Sequence, residues 1–207
     1  MLAKNFGFTD KEIKIIKKLS TPLKIQDFLD KKIKYNREEE LCFSPRLVLK
    51  YKKAYCIEGA LFAAAALRFH GHKPLLLDLR AVDDDDHVIA VFKIKNRWGA
   101  IGQSEFYGLK YREPVYLNIR ELAMSYFEQY YDYDGKKTLR EYSTPVDLSI
   151  FDSKNWMTSE ESLEYIADYI DSVNVKHYKI LPKGIRNFRR VEKRIINCEL
   201  SKKSIRK

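Results

Sequence analysis

Residues 54–72, AYCIEGALFAAAALRFHGH, decide how the rest of the chain is read. Four consecutive alanines at 63–66 stand between Leu61, Phe62 and Leu67, and Gly71 closes the stretch, so a buried helix is predicted from about Cys56 to His70. Its small side chains allow other elements to pack closely against it. Downstream, LLLDLRA (75–81) and HVIAVFKI (87–94) are short apolar runs bounded by turn residues, which predicts two strands. Lys95-Asn96-Arg97 is a tight turn that pairs HVIAVFKI with RWGAIGQ (97–103) as an antiparallel hairpin.

Upstream, Thr9-Asp10 before KEIKIIKKL, Thr21-Pro22 and Ser44-Pro45 each carry helix-start signals. Beyond the hairpin, IRELAMSYFEQYY (119–131) has helical apolar spacing. TLREYSTPVDLSIF (138–151) reads as extended, and TSEESLEYIADYIDSV (158–173) as a helix with Thr158 and Glu161 as its capping box. Helices, a central alanine-rich helix, an antiparallel sheet and further helices make an α+β arrangement.

With 207 residues, 45% hydrophobic and 13% aromatic, the chain can build one good core. A mean hydropathy of −0.46 and the lack of a long apolar run predict no transmembrane segment, and charges recur too often near the N-terminus for an export signal. The expected location is cytoplasmic. Cys42, Cys56 and Cys198 contain no CxxC pair, which points to neither a zinc knuckle nor a disulfide framework. The net charge of +10 is uneven: from Lys183 onward ten Lys/Arg face two Glu, so +8 lies in the tail and about +2 in the body. The chain divides into a single domain over 1–182 and a basic helical tail over 183–207, in which Ile185, Phe188, Val191 and Ile195 can form one apolar stripe. The tail can dock on the body, meet an acidic partner or lie on an anionic surface; docking is the reading adopted, and no interleaved aromatic platform for RNA accompanies its charge.

Cys56 opens the central helix, where main-chain N–H groups and the helix dipole favour a thiolate and could also serve a developing oxyanion; Lys52 and Lys53 could add to this. His87 opens a strand after four aspartates at 83–86 and can serve as the base. The aspartates lack the ligand spacing of a calcium loop, so no metal and no cofactor is expected. His70, His72, His177 and Glu58 read as structural, and Trp98 and the tyrosine-rich run 126–133 as core.

Cys56 opening an alanine-rich helix, a following strand, His87 opening the next, and a tryptophan-bearing partner strand together resemble the transglutaminase-like superfamily. The likeness covers about residues 53–104, and the stretch through YREPVY, RELAMSYFEQYY and KTLREYSTPVDL is similar to bacterial proteins mostly named only as transglutaminase-like or hypothetical. The resemblance implies a cysteine-protease-like core, a central helix packed on an antiparallel sheet. It also implies a nucleophile, base and orienter in the order Cys, His, Asp. At the third position stands Gln103, whose amide oxygen could orient His87 without stabilising an imidazolium by charge. Glu105 is the alternative, since a three-residue turn at 95–97 places it opposite His87. The expected function is a thiol enzyme, a cysteine peptidase, amidase or acyltransferase acting on a peptide or protein amide through Cys56 and His87. The competing expectation is a non-catalytic module of the same fold that binds a protein or nucleic-acid partner through its cleft or tail.

Overall fold

The computed structural model of the chain describes residues 6–36, 41–185 and 187–204. Residues 1–5, part of the stretch read for an export signal, and 205–207, the end of the basic tail, lie outside the described residues.

Three short helices lead in, and each begins where a side chain accepts a main-chain N–H. They are α1 (Asp10–Lys18) capped by Thr9, α2 (Pro22–Lys32) capped by Thr21, and α3 (Pro45–Tyr51) capped by Ser44. Strand β1 (Lys34–Tyr35) pairs in parallel with β2 (Lys53–Ala54), a two-residue ladder with no sequence signature. The central helix α4 (Cys56–Phe69) follows at once, buried from Glu58 to Leu67. Strands β3 (Leu75–Ala81), β4 (His87–Ile94), β5 (Arg97–Ile101), β6 (Arg112–Tyr116), β7 (Leu139–Ser143), β8 (Val146–Asp147) and β9 (His177–Lys179) form one sheet. All its pairings are antiparallel, in the order β6-β5-β4-β3-β7-β9, with β8 also on β3. The remaining helices are α5 (Ile119–Met124), α6 (Glu164–Asp171) and α7 (Lys193–Ser204). The fold is therefore mixed α+β with an antiparallel sheet. Among the described residues no helix is long and apolar enough to cross a membrane.

The sheet carries a core on each face, and the strand pleat sorts residues between them. Leu76, Val88, Ala90, Phe92 and Ile101 pack with α1 to α4 and α6; Leu77, Leu79, Ile89, Val91 and Ala100 pack with α5, Tyr126 and Tyr130. Gly59 in α4 allows a close approach, since a Cβ there would stand 2.3 Å from the Cβ of Gln103. This contact seats the first turn of α4 against the segment that follows β5 and so helps to place Cys56.

Four expectations are corrected. The hairpin turn has two residues, not three: Ile94 pairs with Arg97, and Lys95 and Asn96 both have positive φ (46° and 61°), as a type I′ turn requires. Residues 158–163 are not helical, and Thr158 and Glu161 form no capping box. Their groups serve α3 instead, the Arg46 Nη1 donating to the Thr158 carbonyl at 3.1 Å and the Ser44 hydroxyl to the Ser159 carbonyl at 2.6 Å. The helix expected over 119–131 stops at Met124, because Ser125 turns its hydroxyl back to the Leu122 carbonyl at 2.6 Å and a separate 3₁₀ turn follows. The tail becomes helical only at Lys193; Phe188 and Val191 precede the helix and dock on the body.

Replacing a glycine by alanine inside a helix ordinarily stabilises by about 1 kcal/mol. At Gly59 the opposite is expected: Gly59→Ala should cost about 1–3 kcal/mol through overpacking, measured by chemical denaturation, and Gln103→Gly in the same chain should recover much of it.

Candidate active site

Lys52 takes a left-handed conformation (φ 56°) that ends α3, β2 carries the chain back toward the core, and α4 starts with Cys56. The Glu58 carboxylate accepts from the main-chain N–H of Tyr55 at 2.6 Å and of Phe43 at 2.9 Å, so it satisfies the helix start and ties it to the segment before α3. Cys56 is 5% exposed, and its sulfur lies 4.0 Å from the Asp86 carbonyl. Burial pushes the thiol up to about 12, and the Asp78 and Asp85 carboxylates push the same way; the N–H groups of Val88 and Ile57, aimed at the sulfur, oppose them. Lys52 and Lys53 do not border the site: their ammonium groups lie over the rings of Phe28 and Phe43. No disulfide joins the three cysteines, and burial also pushes Cys42 up to about 12.

His87 opens β4 opposite Leu79, so its ring belongs to the face that carries Ile89 and α5. The ring's Nε2 is 2.7 Å from the Leu109 carbonyl. A carbonyl only accepts, so the proton sits on Nε2 and the Nδ1 lone pair is left without a hydrogen-bond partner among the described residues. Burial pulls the imidazole down to about 4, with Arg112 acting in the same direction and the Leu109 carbonyl against it; near neutral pH the ring is uncharged.

The loop that presents the Leu109 carbonyl is fixed on both sides. Arg112 donates to the Gly108 carbonyl at 2.6 Å, to that of Tyr111 at 2.9 Å and to the Ser125 hydroxyl at 2.9 Å, while its guanidinium covers the Tyr126 ring. The Tyr126 hydroxyl donates to the Lys110 carbonyl at 3.0 Å. Gly102 leaves room for the arrangement: a Cβ there would lie 2.8 Å from the Leu109 carbonyl oxygen and 3.1 Å from His87 Nε2.

Cys56 and His87 border one pocket of about 100 Å³, together with Tyr35, Tyr55, the acidic residues 84–86, Ser104, Phe106, Leu109, residues 129–133 and Ile196. No hydrogen bond joins the sulfur to the imidazole. Gln103 is not among the lining residues: it faces α4, its Nε2 donates to the Ile33 carbonyl at 3.4 Å, and its buried Oε1 has no partner among the described residues. The two-residue turn explains this. The pairing of β4 with β5 ends at Ala90 and Ile101, and its register, carried on, points His87 toward Ser104 rather than Gln103 or Glu105. A main-chain carbonyl, which no side-chain pattern announces, holds the imidazole instead.

The Tyr130 hydroxyl donates to the Asp85 carbonyl at 2.6 Å and keeps the acidic loop in place. Beside that loop, carboxylate oxygens of Asp78, Asp86 and Asp171 gather within 4.8 Å of one another. The protein itself supplies positive charge there, since Arg80 pairs with Asp78 at 3.2 Å and with Asp171 at 2.9 Å. His177 Nε2 lies 3.0 Å from Asp78. Burial pushes Asp78 up to about 6 despite these partners. No protein-family model matches the chain, and no curated protein matches it in sequence.

The neutral imidazole makes stability pH-dependent. As pH falls below 6.5 the unfolded chain takes up a proton that the folded His87 resists until about 4, so its contribution is complete above 6.5 and is lost between 6.5 and 4. Asp78 acts in the opposite sense: its raised pKa adds stability as pH falls from about 6 toward 3.8. His87→Gln, which keeps an N–H donor and does not titrate, isolates the first effect. Across that window wild type should lose about 3 kcal/mol relative to the variant in denaturant titrations.

Proposed function

We propose that the chain is a thiol enzyme of the transglutaminase-like type that acts on an amide or peptide bond through Cys56 and His87. One observation carries the reading: a cysteine at a helix start and a histidine whose Nε2–H is held by the Leu109 carbonyl border the same pocket. In this reading the carbonyl takes the orienting role that the resemblance assigns to an aspartate.

The thiol is pushed up and the imidazole down, so the pair rests uncharged and no ion pair is stored. Proton transfer then accompanies attack. As the sulfur bonds to the substrate carbonyl carbon, its proton passes to Nδ1 of His87, and main-chain N–H groups at the start of α4 face the developing oxyanion. The C–N bond breaks, the imidazolium returns the proton to the departing amine, and a thioester on Cys56 remains for water or an amine to resolve. The sulfur and ring must close their separation for this, as catalytic contacts commonly tighten only with substrate bound. A neutral carbonyl stabilises the imidazolium less than a carboxylate would, so a slow enzyme is expected.

A second reading, a non-catalytic module of the same fold, is favoured by the depth at which Cys56 lies and by the small volume beside it. An activated acyl ester separates the two. With p-nitrophenyl acetate at neutral pH and peptide mass spectrometry, the thiol-enzyme reading expects acetylation of Cys56 that slows at least about tenfold in His87→Ala. Acetyl groups confined to Cys198, or equal Cys56 rates in both proteins, would favour the binding module. The pH dependence is a further check. Because the base is lost only as pH falls through about 4, the His87-dependent part of the rate should persist at pH values where an ordinary imidazole is already protonated.

A further inference from the structure

The tail does not simply pack beside the body; it enters the candidate site. Ile196 in α7 is 4% exposed whereas its neighbour Ile195 is 47% exposed, and Ile196 lines the pocket bordered by Cys56 and His87. The approach to that position is anchored. The Phe188 ring meets Phe127 edge-on at 5.3 Å, and the Val191 N–H donates to the Gly135 carbonyl at 2.9 Å. Gly135 has φ 77°, and a Cβ there would stand 2.5 Å from the Val191 carbonyl oxygen, so the turn at 132–136 is shaped to receive the tail. Charge matches as well: Asp84, Asp85, Asp86 and Asp132 line the pocket, and the segment laid across it belongs to the stretch whose net charge is +8.

We propose that the pocket mouth is a docking site for basic peptide segments that carry an apolar side chain, and that α7 occupies it in cis with Ile196 in the apolar position. The tail is then an intrasteric cover over Cys56, and a substrate peptide of the same chemistry competes with it. The contact is suited to exchange. It rests on one buried isoleucine, a few anchors before the helix and surface charge that salt screens, so it can open without the body unfolding. This inference rests on the thiol-enzyme reading for its biological sense, but its test does not.

The test measures access to Cys56 in the full-length chain as the iodoacetamide alkylation rate of each cysteine, resolved by peptide mass spectrometry. Ile196→Asp should speed alkylation of Cys56 by at least about tenfold, while Ile195→Asp, on the exposed side of the same helix, should leave it near the wild-type rate. Thermal unfolding of both variants checks that the body is intact. A synthetic peptide of residues 187–204 with Cys198→Ser, added to the Ile196→Asp protein, should restore protection, more effectively at low salt than at high salt. The same peptide with its lysines and arginines replaced by glutamate should not. A Cys56 rate unchanged by Ile196→Asp, or a basic peptide that gives no protection, overturns the proposal. If Ile196→Asp opens Cys56 yet His87→Ala leaves acetylation unaffected, the thiol-enzyme reading fails and the docking site stands; the reverse pattern removes the docking site alone.

Discussion

The contact between Gly59 and Gln103 is the constraint on which the site depends. With no atom between them, the first turn of α4 is pressed onto the segment that follows β5, and the sulfur of Cys56 comes to the main chain at the start of β4. The buried alanines of α4 extend the same close packing along the helix, so its axis is set by main-chain separation rather than by adjustable side chains. A larger residue at 59 would lift the helix start and move the sulfur away from β4. Fold and chemistry therefore share one determinant.

Burial decides the electrostatics of the site. Cys56 and His87 are held in their uncharged forms, and each is met by main-chain dipoles: N–H groups at the sulfur and a carbonyl at the imidazole. Arg112 acts through position. By gripping the carbonyls on both sides of the Leu109 turn it holds the acceptor against His87, and its charge adds slightly to the downward pull on the ring. The acidic loop and the basic tail supply the long-range field around an otherwise neutral centre.

Much of this was legible in the sequence for reasons that can be named. Alanine content and an apolar flank marked α4, short apolar runs bounded by turn residues marked β3 and β4, and Thr9, Thr21 and Ser44 marked the first three helix starts. Cys56 and His87 stood out because a thiol at a helix start and an imidazole at a strand start are informative positions. What stayed hidden was carried by the main chain or by register. The Leu109 carbonyl has no side-chain signature, and one residue of turn length shifted the register that would have set Glu105 opposite His87. Thr158 and Glu161 had the right types for a capping box, but tertiary bonds from Arg46 and Ser44 claimed that backbone first. The tail's apolar spacing suggested one continuous helix, yet its anchors are made by residues that precede the helix.

His87 is held as a neutral imidazole with its proton on Nε2. Nitrogen-15 NMR of the histidine side chains across pH reads this directly, since the two ring nitrogens shift differently in each tautomer and in the imidazolium. His87 should keep the Nε2–H form from neutral pH down to about 4. A proton on Nδ1 at neutral pH, or titration near 6.5 like an exposed histidine, would contradict it.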